Sequence, residues 1–192
     1  WGLRKSSIRI DGLCMNRALF LDRDGVINID KGHVHKVEDF EFCNGIFDLC
    51  RYFAEENFVI VVITNQAGIA KNFYKTSDFY KLDKWMVEQF EEYGVDILRT
   101  YFCPHHPDFT GKCKCRKPNP GMLLNASKDL NIDLSRSIFI GNKESDIEAG
   151  IRAGIPSNIL FTSQDVETKA TMVLSHLNEL KMELLKLWIR MQ

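Results

Sequence analysis

Phe58-Val59-Ile60-Val61-Val62-Ile63-Thr64-Asn65 is the stretch whose reading decides the fold. Its first six residues are apolar and mostly β-branched, so no face is left for water, and the run then stops at Thr64-Asn65. A strand of that kind is covered on both sides, as at the centre of a parallel sheet. Working upstream, Ile46 to Glu56 carries apolar residues at 46, 47, 49, 50 and 53, a helical stripe. Before it, Ala18-Leu19-Phe20-Leu21 predicts another buried strand, ending at Asp22. Downstream the pattern predicts a helix over Thr76–Tyr93, opening on a Thr-Ser-Asp cap, and then a strand over Ile97–Phe102. Next come a helix over Pro120–Leu130, a strand over Ser137–Ile140 ending at Gly141, and a helix over Glu144–Ala153. A last strand over Ile159–Phe161 and a C-terminal helix over Lys169–Arg190 complete the reading. The apolar face of that last helix is expected to pack on the domain or on a second subunit. Alternation at this spacing implies an α/β fold, a doubly wound, Rossmann-like parallel sheet sandwiched by helices, with ligands bound beyond the carboxyl ends of the strands. Residues 1–14 do not fit the pattern; they are expected to be an extension or an expression remnant ahead of a single domain over 15–192.

Composition narrows the function classes. A chain of 192 residues, 45% hydrophobic and 27% charged, is neither disordered nor fibrous. Lys and Arg number 25 against 26 acidic residues, so the basic footprint of a nucleic-acid binder is missing. The longest uninterrupted apolar run, Phe58–Ile63, is far short of a membrane span. The opening Trp1–Ser7 lacks the apolar stretch of a signal peptide, so a cytoplasmic, reduced protein is expected. In that setting clustered thiols point to a metal sooner than to disulfides. Cys103, Cys113 and Cys115 fall within 13 residues of one another. With His105 or His106 they make a three-sulfur, one-nitrogen set, the closed composition of a structural zinc. The alternative is reduced cysteines in a surface loop. Cys14, Cys43 and Cys50 are expected in the core or on the surface.

Four segments carry the chemistry. Asp22-Arg23-Asp24-Gly25-Val26 places two carboxylates at the end of a buried strand, where they repel unless a cation joins them. An ordinary Asp-rich turn is the alternative. Thr64-Asn65-Gln66 offers a hydroxyl and amide donors after the next strand. Arg116-Lys117-Pro118 supplies two cations before the Pro120 helix, and Gly141-Asn142-Lys143-Glu144-Ser145-Asp146 adds an amide and an acid after another strand. Together these could hold one divalent cation and one phosphate.

In kind and order the four segments resemble the motifs of the haloacid-dehalogenase superfamily. Asp22 to Asn28, Thr64 to Ala70, Cys103 to Pro107 and Cys115 to Met122 resemble the branch that dephosphorylates heptose bisphosphates. The resemblance implies a magnesium-dependent phosphatase that removes the 7-phosphate of a heptose 1,7-bisphosphate, in the making of nucleotide-activated heptose for surface glycans. It implies Asp22 as nucleophile, Asp24 as general acid and base, and Thr64 and Lys117 as ligands of the transferring phosphoryl group. Magnesium would be bound by Asp22, the Asp24 carbonyl, Asn142 and Asp146. Asn65, Arg116, Lys143, Asp30 and His33 would bind the rest of a small sugar substrate. Zinc on Cys103, His105, Cys113 and Cys115 would be structural, the resemblance favouring His105 over His106. No long insertion is present for a separate cap domain, and a monomer is the simplest expectation.

The loop between His105 and Cys113 is short, as in histidinol-phosphate phosphatases, which form the runner-up. One departure stands out: where the superfamily's fourth motif begins Gly-Asp, this chain has Gly141-Asn142. A neutral oxygen removes one negative charge from the magnesium shell, so weaker binding is expected, with Asp146 compensating directly or through a water. A non-catalytic sugar-phosphate binder is the third reading, and Asn142 alone motivates it.

Overall fold

The computed structural model describes residues 15–180. The extension expected over 1–14, with Cys14, lies outside them. The elements in chain order are β1 (Arg17–Leu21), α1 (Ile46–Glu55), β2 (Phe58–Asn65), α2 (Ala67–Ala70), α3 (Thr76–Glu92) and β3 (Ile97–Cys103). They continue with α4 (Pro107–Thr110), α5 (Gly121–Leu130), β4 (Ile138–Gly141), α6 (Glu144–Ala153), β5 (Ser157–Phe161) and β6 (Met172–Leu174).

The six strands form one parallel sheet in the order β3-β2-β1-β4-β5-β6. The β-branched run Phe58–Ile63 lies second from one edge, with β1 and β3 on either side. Alternation along the strands divides the core in two. Leu19, Leu21, Ile60, Val62 and Ile140 face α1 and α3, whose Leu49, Phe53, Leu82, Met86 and Phe90 cover them. Ala18, Phe20, Val61, Ile63 and Phe139 face the other way, under Met122, Leu123 and Ala126 of α5 and Ala149 of α6. The period of two in a strand produces this three-layer arrangement.

The chain builds outward from β1 through β2 to β3, then crosses back to place β4 on the other side of β1. The order therefore reverses between β1 and β4, and a doubly wound sheet opens its crevice at such a point. The long segment between β1 and α1 does not stand apart as a cap. Val26, Ile27, Val34 and Phe40 are buried in the core, and Asn28 bridges Phe42.

The C-terminal region differs from expectation. Met172–Leu174 is not helical but a sixth strand paired in parallel with β5, and a helix begins only at 177. Leu174, Leu177 and Leu180 are all buried in the core beside α1 and α3. Their spacing of three mimics one helical stripe, although Leu174 reaches the core from a strand. The expected remainder of that helix, beyond 180, lies outside the described residues. Among the described residues no helix is long and apolar enough to cross a membrane.

Candidate active site

Asp22 is the first residue beyond β1, and its backbone N–H still donates to the Ile140 carbonyl at 2.9 Å. Its carboxylate therefore stands at the crevice between β1 and β4, and it is buried. Lys117, brought in by the loop before α5, donates from Nζ to Asp22 Oδ1, to Asp146 Oδ1 and to the Ile63 carbonyl, each at 2.8 Å. Asp146 uses its other oxygen to accept from the backbone N–H groups of Asn142 and Lys143, at 3.1 and 3.0 Å, closing the first turn of α6. Burial pushes the Asp22 carboxyl up to about 7; Lys117 opposes this and Asp146 adds to it. Burial pulls the Lys117 ammonium down, but Asp146 and Asp22 outweigh it and raise it, so the lysine stays a cation.

Asp24 projects beside this cluster. Arg23 is wholly buried, and its Nε and Nη2 donate to Asp24 Oδ1 at 3.2 and 2.9 Å. Nη2 also donates to the Val34 carbonyl at 2.6 Å. Asn28 Nδ2 adds a bond to Oδ1 at 3.1 Å, and Gln66 Nε2 one to Oδ2 at 3.0 Å. Gln66 Nε2 also donates to Thr64 Oγ1 at 2.9 Å. With one lone pair taken, the Thr64 hydroxyl keeps its proton to donate elsewhere. Sequence reasoning assigned nothing to Arg23, Asn28 or Gln66. Gln66 was visible as an amide donor after β2, but an arginine between two aspartates reads as an ordinary surface residue.

Two observations bear on a cation. Two buried carboxylates share one lysine, so both can be ionised together only if a further cation joins them. Asn142 Oδ1 is buried with no hydrogen-bond partner. Gly25, at φ +95°, lies against the Asn142 amide so closely that any side chain there would overlap it. An orphaned amide oxygen on the residue whose N–H binds Asp146, with Asp22 and Asp146 sharing one lysine, fits a hard divalent ion with oxygen ligands.

Beyond β3 the sulfur cluster closes. Cys103 Sγ lies 3.1 Å from Cys115 Sγ and 3.6 Å from Cys113 Sγ, and Cys113 and Cys115 are 3.4 Å apart. His105 Nδ1 lies 3.7 Å from Cys103 Sγ and 3.4 Å from Cys115 Sγ. Tetrahedral zinc with bonds of about 2.3 Å to sulfur needs edges of roughly 3.7 Å, so the four atoms could hold one ion after a small expansion. His106 turns elsewhere, accepting from the Asp108 N–H at the start of α4. Gly121 opens α5 so close to the Lys114 carbonyl that a larger residue would displace the loop.

The remaining residues singled out in the sequence are dispersed. Asn65 grips the main chain of Lys117, donating to its carbonyl at 3.2 Å and accepting from its N–H at 3.1 Å. The amide expected to orient substrate is thereby committed to the loop that carries the lysine. Arg116 donates to the His105 carbonyl at 3.1 Å and, with Lys112 and Asn119, lines an open groove beside Lys117. Lys143 and Asp30 pair at 3.0 Å on the exposed rim. Partial burial raises the Asp30 carboxyl, but hydrogen bonds from Lys143 and the Gly32 N–H outweigh it and hold it low. His33 stands edge-on to Phe73, and partial burial and Lys71 both lower its basicity.

Comparison with known proteins joins these observations. The polynucleotide kinase 3 phosphatase family matches residues 19–180. A D-glycero-alpha-D-manno-heptose-1,7-bisphosphate 7-phosphatase of Campylobacter jejuni is 50% identical over 151 residues, 79% of this chain and 86% of its own. The D-glycero-beta-D-manno-heptose-1,7-bisphosphate 7-phosphatase of Yersinia pestis is 42% identical over 85% of this chain and 92% of its own. Among solved structures, the D,D-heptose 1,7-bisphosphate phosphatase of B. bronchiseptica, complexed with magnesium and phosphate, superposes with a TM-score of 0.78. It is 26% identical, covering 88% of this chain and 98% of its own. A HAD-like phosphatase from Mesorhizobium loti also gives 0.78 at 31% identity, over 86% and 84% of the two chains. With half of the aligned residues identical over 79% of its length, the chain belongs to the heptose-1,7-bisphosphate 7-phosphatase family of the haloacid-dehalogenase superfamily, and is a phosphoric monoester hydrolase.

Proposed function

We propose that this chain hydrolyses the 7-phosphate of D-glycero-D-manno-heptose 1,7-bisphosphate, with Asp22 as nucleophile. The observation that carries this reading is the buried Asp22 carboxylate at the switch point, held 2.8 Å from the lysine that would receive the phosphoryl oxygens. An oxygen of Asp22 attacks phosphorus and the bond to the sugar oxygen breaks, leaving an aspartyl-phosphate. Asp24 gives a proton to the departing oxygen, then takes one from the water that attacks phosphorus and frees Asp22. As arranged, Asp24 only accepts hydrogen bonds, from Arg23, Asn28 and Gln66, the form suited to the second step. Lys117 and the free proton of Thr64 stabilise the charge on the transferring group.

Magnesium would be held by Asp22, the Asp24 carbonyl and Asn142, with Asp146 behind them; when bound it supplies the positive charge that lets an anionic phosphate approach a carboxylate. Zinc would be held by Cys103, His105, Cys113 and Cys115, fixing Arg116 and Lys117, which follow directly in the chain. Arg116, in its groove, suits the second phosphate of a bisphosphate through its planar fork. Asp30, Lys143 and His33 line the sugar side. The simplest form of this reading is a cytoplasmic monomer acting on a free sugar phosphate, with neither nucleic acid nor membrane as partner.

The test is inorganic phosphate release from both anomers of heptose 1,7-bisphosphate, from histidinol phosphate and from p-nitrophenyl phosphate, with and without magnesium. Magnesium-dependent preference for a heptose bisphosphate, abolished by Asp22→Asn, supports the proposal. Preference for histidinol phosphate overturns the substrate, and release from none overturns the enzymatic reading of this site.

A further inference from the structure

Behind the groups that face the reaction stands a side chain the mechanism above does not use. Tyr74 follows α2, is nearly buried, and donates from its hydroxyl to Gln66 Oε1 at 2.5 Å. Gln66 is itself buried, and its Nε2 spends one hydrogen on Asp24 Oδ2 and the other on Thr64 Oγ1. An amide can be turned end for end at almost no cost in shape, so something must determine which end faces Asp24. The Asp24 carboxylate, which can only accept, selects the NH2 end, and the tyrosine hydroxyl holds that choice in place by donating to the amide oxygen at the other end. Turned over, the amide would set its oxygen against the Asp24 carboxylate, acceptor against acceptor, and would claim the Thr64 proton that is now free to donate elsewhere.

The tyrosine ring is itself held. His35 stacks on one face at 4.8 Å with the planes 6° apart. Gly68 lies so close to the ring that a side chain there would overlap it. Burial keeps the hydroxyl protonated, pushing it up to about 12, although Arg23 pulls the other way.

We infer that Tyr74 is a positioning residue that acts through Gln66, aiming one amide group at both the general acid/base and the phosphoryl-binding hydroxyl. The inference rests on the assignment of Asp24 and Thr64 proposed above. Its geometry is local to this chain's Thr64-Asn65-Gln66 and Tyr74, ten residues apart at their ends.

The experiment is a double-mutant cycle on the whole chain with magnesium present, using Tyr74→Phe, Gln66→Leu and both together. Tyr74→Phe keeps the ring but leaves the buried Gln66 oxygen without its donor, so the unfolding midpoint should fall by only about 2–10 degrees and the chain stay folded at assay temperature. Its kcat is expected to fall about tenfold, with KM within about twofold, because binding is spared and alignment is lost. Gln66→Leu should cost at least as much, and adding Tyr74→Phe to it should cost nothing further. Full kcat in Tyr74→Phe overturns the inference. So does an equal loss in both backgrounds, which would mean that the tyrosine acts by another route. A second readout separates this inference from the proposed function. The Gln66 side-chain amide protons, followed by NMR, should exchange slowly in the parent and quickly in Tyr74→Phe. Fast exchange in the parent overturns the link whether or not phosphate is released. Slow exchange in a chain that releases none supports the link and removes only the catalytic reading.

Discussion

Two lysine–aspartate contacts sit at the same end of this sheet and differ mainly in their surroundings. Lys117 meets Asp22 at 2.8 Å with side chains 2% and 8% exposed. Lys143 meets Asp30 at 3.0 Å with side chains 58% and 32% exposed. Water screens the second, so it contributes little and its partners are free to exchange for a ligand. The first has lost its water, and each member depends on the others for solvation. A site that must bind phosphate tightly in one place and release a sugar in another has reason to contain both kinds.

The largest effect should come from Lys117→Met. It leaves Asp22 and Asp146 facing each other without a cation, and losing one partner of a buried pair costs about 3–5 kcal/mol. Phosphate release should fall by at least about a hundredfold, since the proposed donor to the transferring group is gone. Urea unfolding and a phosphate assay read the two losses, and a stable, active variant would break the contrast between the buried and exposed pairs.

Next comes Cys113→Ser. The sulfur cluster precedes Arg116 and Lys117 in the chain, so if it holds the proposed zinc, removing a ligand should loosen the buried lysine's loop. Metal content by emission spectroscopy, the thermal midpoint and substrate affinity should fall together. A metal-free variant that folds and turns over normally would separate the loop from the lysine.

Proton linkage sharpens the comparison. In magnesium-free protein Asp22 is raised from 3.8 to about 7, so between those values the folded chain holds a proton the unfolded chain has lost. That contribution to stability is full below pH 3.8 and disappears as pH rises through about 7. Asp30 is lowered, so its smaller contribution is present above its unfolded value and lost as pH falls through the folded one. Urea midpoints across this window should show a decline with pH that Asp22→Asn flattens and Asp30→Asn leaves in place. Added magnesium should shift the acid limb of the phosphatase rate to lower pH, since a cation favours the ionised carboxylate.

Asn142→Asp adds a charged oxygen where an orphaned one now stands. The magnesium concentration for half-maximal rate should drop several-fold. If it does not, Asn142 is not a ligand. The smallest effect is expected for Lys143→Ala, whose exposed pair contributes at most about 1 kcal/mol to stability. Its signature should be a modest rise in KM at unchanged kcat.

Much of this was legible along the chain. The runs Ala18–Leu21 and Phe58–Ile63 are apolar on both faces, and only a covered parallel strand accommodates such runs. Aspartates and a threonine placed just after strands, with a lysine in the loop before α5, pointed to a candidate site, because strand ends are where a doubly wound sheet opens. The link from Gln66 to Tyr74 escaped, since neither residue is charged and their contact spans a turn that follows no periodicity. Asn65 reads as a substrate ligand only through the family resemblance; its amide bonds to the Lys117 main chain appear only in the folded structure. Met172–Leu174 falls in the expected helix yet is a strand, because leucines three apart cannot reveal whether strand or helix presents them.

The sequence by itself determined the layer order, the motif set and the sulfur cluster, because local patterning and short spacings carry them. Only the tertiary structure decided which charges lose their water. Lys117 and Lys143 are both lysines in polar loops. One is buried between Asp22, Asp146 and the Ile63 carbonyl by a loop that Asn65 grips and the Cys/His cluster adjoins. The other stays at the rim. Burial depends on what the rest of the chain packs around a side chain, and no window of neighbouring residues contains that information.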